Sequence, residues 1–390
     1  MNKNPLTYTI ISLLFAGMLL AAGCSGRKQQ APAANNVFHE AVYISGDSLS
    51  PTAMHVAVVN PWDSTAHLAD YLLTNPGDTT NTDIVAKQLA ASGLKGTPVH
   101  LQLPLKRLIV YSAVHAALLC ELGYADAIVG VADASYIKTP EIVTRIADGR
   151  ITDIGSSMEP SLEKVIALKP DAILISPFQN TGHGVIDKTG IPVIECADYM
   201  ERTPLGRAEW SRFYASLVQG LSTKNAETFQ QSSRQYNELT AKAANAAEHP
   251  RVITELPDKG TWLVPGGGSY AARLLTDAGA VYPFSDNHSP GSVPMTYEKV
   301  FRAAQDADFW LVKNFGPDYT LADLASSAPF NKEFWAYKNG GVYFVDTSTA
   351  NLFEETPFHP ERLLTDYVAI FHRTGAPLRY YRQLQPAPAR

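Results

Sequence analysis

Two acids in this 390-residue chain stand out by residue type and spacing. Glu163 lies in PSLEKVIALKPDAIL (Pro160 to Leu174), and Glu298 lies in a second version of that pattern, MTYEKVFRAAQDADFWL (Met295 to Leu311). Ser161, Lys164, Val165, Asp171 and Ala172 of the first fall on Thr296, Lys299, Val300, Asp306 and Ala307 of the second. A Ser or Thr ahead of an apolar periodic run reads as a capped helix, and the apolar stretch after it as a buried strand. Both acids sit off the apolar stripes (Leu162, Val165, Ile166; Tyr297, Val300, Phe301) and so project from the first helical turn. A carboxylate there complements the helix dipole. A matched pair, one per lobe, also offers two ion-pairing points to a symmetric partner with two basic sockets.

Other residue sets exclude more chemistry than they imply. Gly266-Gly267-Gly268-Ser269 has the glycines of a phosphate loop, but no Lys-Ser/Thr pair follows and the GxGxxG spacing is absent. It reads as a flexible turn bordering a cleft. There is no GxSxG elbow, no HExxH and no cysteine in an electropositive setting, so no catalytic residue is assigned, and a cleft hydrolase stays only as an alternative. His115, His183 and His288 fall near strand ends without paired spacing, and no Cys/His pattern calls for structural zinc; no metal site is assigned, with direct metal-ion binding as a further alternative. Aromatic residues are denser at those ends: Tyr111, Tyr136, Phe178, Trp262, Tyr270 and Phe315. Each could be core, but as a set at the rims of two lobes they suit a large, flat or partly apolar ligand.

The elements that must position these groups alternate strand and helix. RLIVY (Arg107 to Tyr111) and the segments after it read as a doubly wound parallel sheet, whose ligands sit beyond the carboxyl ends of the strands. A helix ending in glycine precedes each repeat, AALLCELG (Ala116 to Gly123) and ARLLTDAG (Ala272 to Gly279). The expected fold is therefore α/β, two Rossmann-like lobes joined by a long α-helix, with a ligand cleft between them. Thr223 to Glu248 supplies that helix, and its stiffness predicts a small closure on binding. Residues 41–104 read as β-rich, with strands near 55–61, 66–74 and 99–103 and a polar loop between Pro76 and Lys87.

Composition sets the partners. A content of 45% hydrophobic residues is globular, and a formal net charge of −6 without a Lys/Arg-rich run argues against nucleic acid. The apolar run Ile10 to Ala22 is too short to span a bilayer and reads as an export signal. Leu20-Ala21-Ala22-Gly23 before Cys24 resembles a bacterial lipobox, which makes Cys24 the lipidated first residue and Ser25 to Asn36 a tether. Cys120 and Cys196 read as two separately buried thiols. The expected organisation is a signal peptide over 1–23, a tether over 24–40, an N-terminal lobe over 41–204, a helical linker over 205–249 and a C-terminal lobe over 250–390.

RLIVYSAVHAALLCELG, GVAD, PSLEKVIALKPDAIL, GIPVI, VPGGGSY and MTYEKVF together resemble the periplasmic substrate-binding proteins of ABC importers, in the helix-linked group that binds vitamin B12, ferric siderophores or haem. The resemblance runs from about Leu105 to His372, and the long segment before it is expected to add a hairpin to the first lobe. It implies a monomeric, lipid-anchored periplasmic receptor with no cofactor and no catalysis. Glu163 and Glu298 would dock on arginines of a dimeric ABC permease, and Tyr111, Ser112, Tyr136, Phe178, Trp262 and Phe315 would contact a metal-chelate ligand. Few arginines at the strand ends favour a corrinoid or another weakly charged chelate over an anionic siderophore. Haem would take an axial Tyr or His, for which Tyr111, Tyr136 or His288 could serve.

Overall fold

The computed structural model describes residues 36–91, 97–316 and 318–385. The signal peptide, Cys24 and residues 24–35 of the tether lie outside them. The N-terminal sheet comprises β1 (Ile44–Ser50), β2 (Ala53–Val59) and β3 (His67–Thr74), all antiparallel. Helix α1 (Thr82–Ala91) follows, and β4 (Val99–Gln102) pairs parallel with β3. Helix α1 replaces much of the expected polar loop; Asn81 Oδ1 accepts the Asp83 N–H at 2.7 Å ahead of its first turn, and Val85 is buried. Along β3, Tyr71 and Leu73 alternate into the core that this sheet shares with the first lobe.

The first lobe runs β5 (Leu108–Val110), α2 (Ala113–Glu121), β6 (Ile128–Val131), α3 (Pro140–Ala147), β7 (Thr152–Asp153), a hairpin of β8 (Gly155–Ser156) and β9 (Glu159–Pro160), α4 (Leu162–Ala167), β10 (Ala172–Ile175) and β11 (Val193–Glu195). Its parallel sheet is ordered β11-β10-β5-β6-β7. Leu108, Val110 and Leu174 point into one core while Ile109, Ile173 and Ile175 point into another, so both faces are covered and the strands are apolar throughout.

Helices α5 (Pro204–Glu209), α6 (Ser211–Gln219) and α7 (Glu227–Ala244) carry the chain to the second lobe. The long helix has 18 residues, about 27 Å at 1.5 Å per residue. It is shorter than the sequence reads because Thr223–Ala226 form a 3-10 turn and Asn245 ends the helix. Two carboxylates near this junction, Glu209 and Glu201, accept the N–H groups of five successive residues, His39 to Tyr43. They fix the start of the described chain to the linker.

The second lobe continues with β12 (Val252–Thr254), β13 (Pro257–Asp258), β14 (Thr261–Pro265), α8 (Tyr270–Asp277), β15 (Ser292–Thr296), α9 (Tyr297–Ala304), β16 (Phe309–Asn314), α10 (Leu321–Ser327), α11 (Trp335–Lys338), β17 (Val342–Asp346), α12 (Leu352–Glu355), α13 (Pro360–Phe371) and β18 (Arg382–Gln383). Its main sheet is β12-β16-β17-β18, with Val281 bridged in parallel to Arg251 beside β12. The sequence repeat is therefore a topological one. The first lobe reads β6-β5-β10-β11 and the second reads Val281-β12-β16-β17, with α2 matching α8 and α4 matching α9. Both α2 and α8 start on a serine that caps them, Ser112 and Ser269, and both end at a glycine with positive φ, Gly123 at 83° and Gly279 at 82°.

Candidate ligand cleft

The residues expected at the cleft follow the carboxyl ends of matched strands. After β10 comes Pro177-Phe178-Gln179, and after its counterpart β16 comes Phe315-Gly316. Phe178 is 61% and Phe315 75% exposed, although the apolar residues of the strands before them, Ala172–Ile175 and residues 309–312, are buried. Tyr136, 76% exposed, ends the 3-10 turn Ala134–Tyr136 after β6. Large exposed aromatics at the mouth of a parallel sheet are what a partly apolar ligand needs.

Backbone and side-chain hydrogen bonds hold these turns. Asp133, in the left-handed region at φ 49°, donates its N–H to Gly155 O at 2.9 Å and accepts the Tyr136 N–H on its carbonyl at 3.0 Å. The Tyr199 hydroxyl donates to Pro177 O behind Phe178. Asp346, at the end of β17, accepts the Gly316 N–H at 2.9 Å together with the Ser348 N–H and the hydroxyls of Ser348 and Thr349. Its partial desolvation is outweighed by those donors, which hold its carboxyl at about 2.

Tyr111 and Ser112 follow β5 and are half-buried, and Ser112 caps α2. Burial pushes the Tyr111 phenol up to about 12, and its hydroxyl has no hydrogen-bond partner among the described residues. Trp262 is different. It is fully buried in the second-lobe core, its ring 5.4 Å from that of Trp310 and its indole N–H donated to Thr254 O at 3.0 Å. It does not wall the cleft, because the pleat of β14 turns Trp262 inward and its neighbour Leu263 outward.

Two cations near the strand ends are already paired. Arg207 donates to Asp198 at 3.1 Å and lies over the Tyr270 ring at 5.3 Å, while Lys313 meets Glu255 at 2.5 Å. Burial pulls the Lys313 amine down, but Glu255 more than offsets it. Asp198 is desolvated too, yet His115, Arg207 and Tyr214 hold it at about 2.

The glycine run is not a flexible turn. A Cβ on Gly266 would lie 2.3 Å from Ser289 O, one on Gly267 2.2 Å from Ser285 O, and one on Gly268 2.6 Å from His288 O. Three glycines let the 285–291 loop lie directly on this backbone.

Comparison with known proteins agrees with this geometry. The model of the periplasmic binding protein family matches residues 108–349. The chain belongs to the periplasmic binding protein family. It is 29% identical over 259 residues to an uncharacterized lipoprotein of Methanocaldococcus jannaschii, covering 62% of this chain and 60% of that one, so it spans less than two thirds of that relative. Its fold is similar to that of a periplasmic haem binding protein from Pseudomonas aeruginosa, with a TM-score of 0.55 at 15% identity over 73% of this chain and 100% of that one. It is also similar to that of the periplasmic vitamin B12 binding protein of Vibrio cholerae, with a TM-score of 0.51 at 16% identity over 70% and 99% of the two chains.

The family this chain belongs to is one of binding proteins. Glu163 and Glu298 are both exposed, each the second residue of its helix. The histidines near the strand ends go to separate places. His115 is buried and donates to Asp198 at 2.8 Å, His183 pairs with Glu195 at 2.8 Å, and His288 is exposed on the loop over the glycines. Cys196 is buried and free, and Cys120 donates to Glu141 at 3.1 Å, its thiol pushed up to about 12 chiefly by burial. Among the described residues no helix is long and apolar enough to cross a membrane. Sequence reasoning missed Asp133 and Asp346; only the Asp–x–Ser–Thr run at Asp346, a turn signature, could have pointed to one of them.

Proposed function

We propose that this periplasmic binding protein is the substrate-binding component of an ABC importer, capturing a metal chelate between its lobes and passing it to a dimeric permease. The supporting observation is the matched pair of exposed phenylalanines, Phe178 and Phe315, at equivalent strand ends of the two lobes, with Tyr136 beside the first-lobe strands. A rigid body with apolar walls suits a large preformed ligand. Pairing of Arg207 with Asp198 and of Lys313 with Glu255 favours a weakly charged chelate, a corrinoid or a neutral ferric siderophore. The exposed acids Glu163 and Glu298 are the proposed docking points for permease arginines. Cys24 is the proposed lipid anchor, consistent with similarity to a protein described as a lipoprotein. The body is read as a monomer.

Haem is the second reading, favoured by the exposure of Tyr136 and His288 at the cleft side. Tyr111 is a poorer axial ligand, since burial keeps its phenol neutral. Titration with cyanocobalamin, haemin and ferrichrome, followed by calorimetry and absorbance, tests both. Saturable 1:1 binding of one of them is expected, and absence of binding by all three overturns the reading. A shifted haemin absorption band lost in Tyr136→Phe would select haem.

A further inference from the structure

The chain crosses between the lobes through the α5–α7 region, but a second connection is made by side chains. It lies just beyond the family-matched stretch, on α12 and the residues leading into α13. Phe358, on the second-lobe side of the linker, is 1% exposed in the core of the first lobe, its ring 5.6 Å from that of Tyr214 and 6.1 Å from that of His115. Arg362 donates to Glu121 at the end of α2 at 3.1 Å. Between these contacts sits Glu354, a buried carboxylate.

Among the described residues, its two oxygens have hydrogen-bond partners only in the opposite lobe. Glu354 Oε1 accepts the Lys138 N–H at 2.5 Å and Oε2 accepts the Thr139 hydroxyl at 2.5 Å. Burying a carboxylate is costly unless donors meet it, and the apolar contact between the lobes is already supplied by Phe358. What the carboxylate adds is direction. Lys138 and Thr139 lie immediately beyond the turn Ala134–Tyr136, whose other end is held by Asp133 within the first lobe. The same short helix that carries Glu354 presents Phe353, 55% exposed.

We propose that Glu354 is a positioning residue of the ligand site: from the second lobe it fixes the first-lobe turn that carries Tyr136. The proposal rests on the reading of the cleft as the chelate site. A turn held at both ends loses little freedom when a ligand packs on it, so affinity depends on a carboxylate that never touches the ligand. It also ties the two walls together, so that any change in the angle between lobes moves Tyr136.

The test uses the full chain and three variants, Glu354→Ala, Glu354→Gln and Thr139→Val, the last removing a donor from the other side of the contact. Two quantities are measured: hydrogen exchange at the Lys138 amide, and affinity for whichever of cyanocobalamin, haemin and ferrichrome the wild type binds. In Glu354→Ala the Lys138 amide should exchange at least tenfold faster while amides of β5 and β16 keep their protection, and affinity should fall about tenfold through faster dissociation. Glu354→Gln, which still accepts the Lys138 N–H, should recover most of both, and Thr139→Val should lose a few-fold. Faster exchange with unchanged affinity would overturn the positioning role, as would unchanged exchange. Failure of the wild type to bind any of the three probes would sink the chelate reading itself, and the positioning role with it, whatever the amide does.

Discussion

Glu163 and Glu298 occupy the same place in the two lobes: each is the second residue of a helix whose capping hydroxyl accepts the N–H of the lysine that follows the acid. Ser161 Oγ lies 3.4 Å from Lys164 N, and Thr296 Oγ1 lies 3.3 Å from Lys299 N. Each cap meets one of the free N–H groups at its helix start without help from the acid, and both carboxylates stay exposed to a partner.

Replacing both acids by alanine should therefore leave the fold and the ligand site alone. Each loses only a dipole interaction of about 0.3–1 kcal/mol. Ligand affinity should be unchanged, while stimulation of permease ATPase activity in membrane vesicles should fall at least tenfold. A collapse of affinity instead would show that these acids belong to the ligand site.

The exposed phenylalanines invite the opposite experiment. Phe178→Ala and Phe315→Ala remove groups that are 61% and 75% exposed, so thermal stability should barely change. Ligand affinity should fall by about 1–2 kcal/mol for each, the scale of an aromatic contact. Trp262→Ala should behave inversely, costing about 3–5 kcal/mol of stability as a buried aromatic.

Much of the architecture was readable because its signals are local. Caps, terminal glycines and apolar runs placed the repeat, and the repeat placed Phe178 and Phe315 at equivalent turns. Trp262 was misassigned because Trp262-Leu263-Val264 is apolar throughout, and only the pairing of β14 with β15 decides which side faces the core. The role of Gly266 to Gly268 depends on the 285–291 loop, and that of Glu354 on a turn of the other lobe. Neither contact leaves a periodic mark in the sequence.

The glycine run makes a stability prediction. Gly267→Ala sets a Cβ 2.2 Å from Ser285 O, a backbone atom that cannot rotate away, and should cost about 3 kcal/mol. Gly291→Ala, with no heavy atom within 4 Å of its Cβ, is the control and should be nearly neutral. Equal denaturation midpoints for the two variants would mean that the loop is not pressed onto the glycines.

Acid should act through Asp198. Its folded-state value of about 2 lies below the ordinary 3.8, so its contribution is present above about pH 4 and fades as pH falls towards 2. The difference corresponds to about 2 kcal/mol. Asp198→Asn should be less stable at neutral pH, leaving His115 and Arg207 without their charge partner, and its deficit relative to wild type should shrink between pH 5 and 2.5 in urea titrations. A deficit that stays constant over that range would rule out this carboxylate as the acid-sensitive group.

The N-terminal sheet lies outside the family-matched stretch, and besides the core it shares with the first lobe, one hydroxyl joins it to the edge of the first-lobe sheet. Strand β11 is the edge of the first-lobe sheet, and Tyr71 of β3 covers it: the phenol donates to Val193 O at 3.0 Å and accepts the Glu195 N–H at 2.8 Å. A side chain thus takes the place of the next strand at an edge that would otherwise offer backbone groups to another chain. Tyr71→Phe keeps the buried ring and strands both backbone groups, which should cost about 1–3 kcal/mol. Hydrogen exchange should quicken at the Glu195 amide in particular, with ligand affinity unchanged. If the Glu195 amide keeps its protection in the variant, the edge is closed by something other than this phenol.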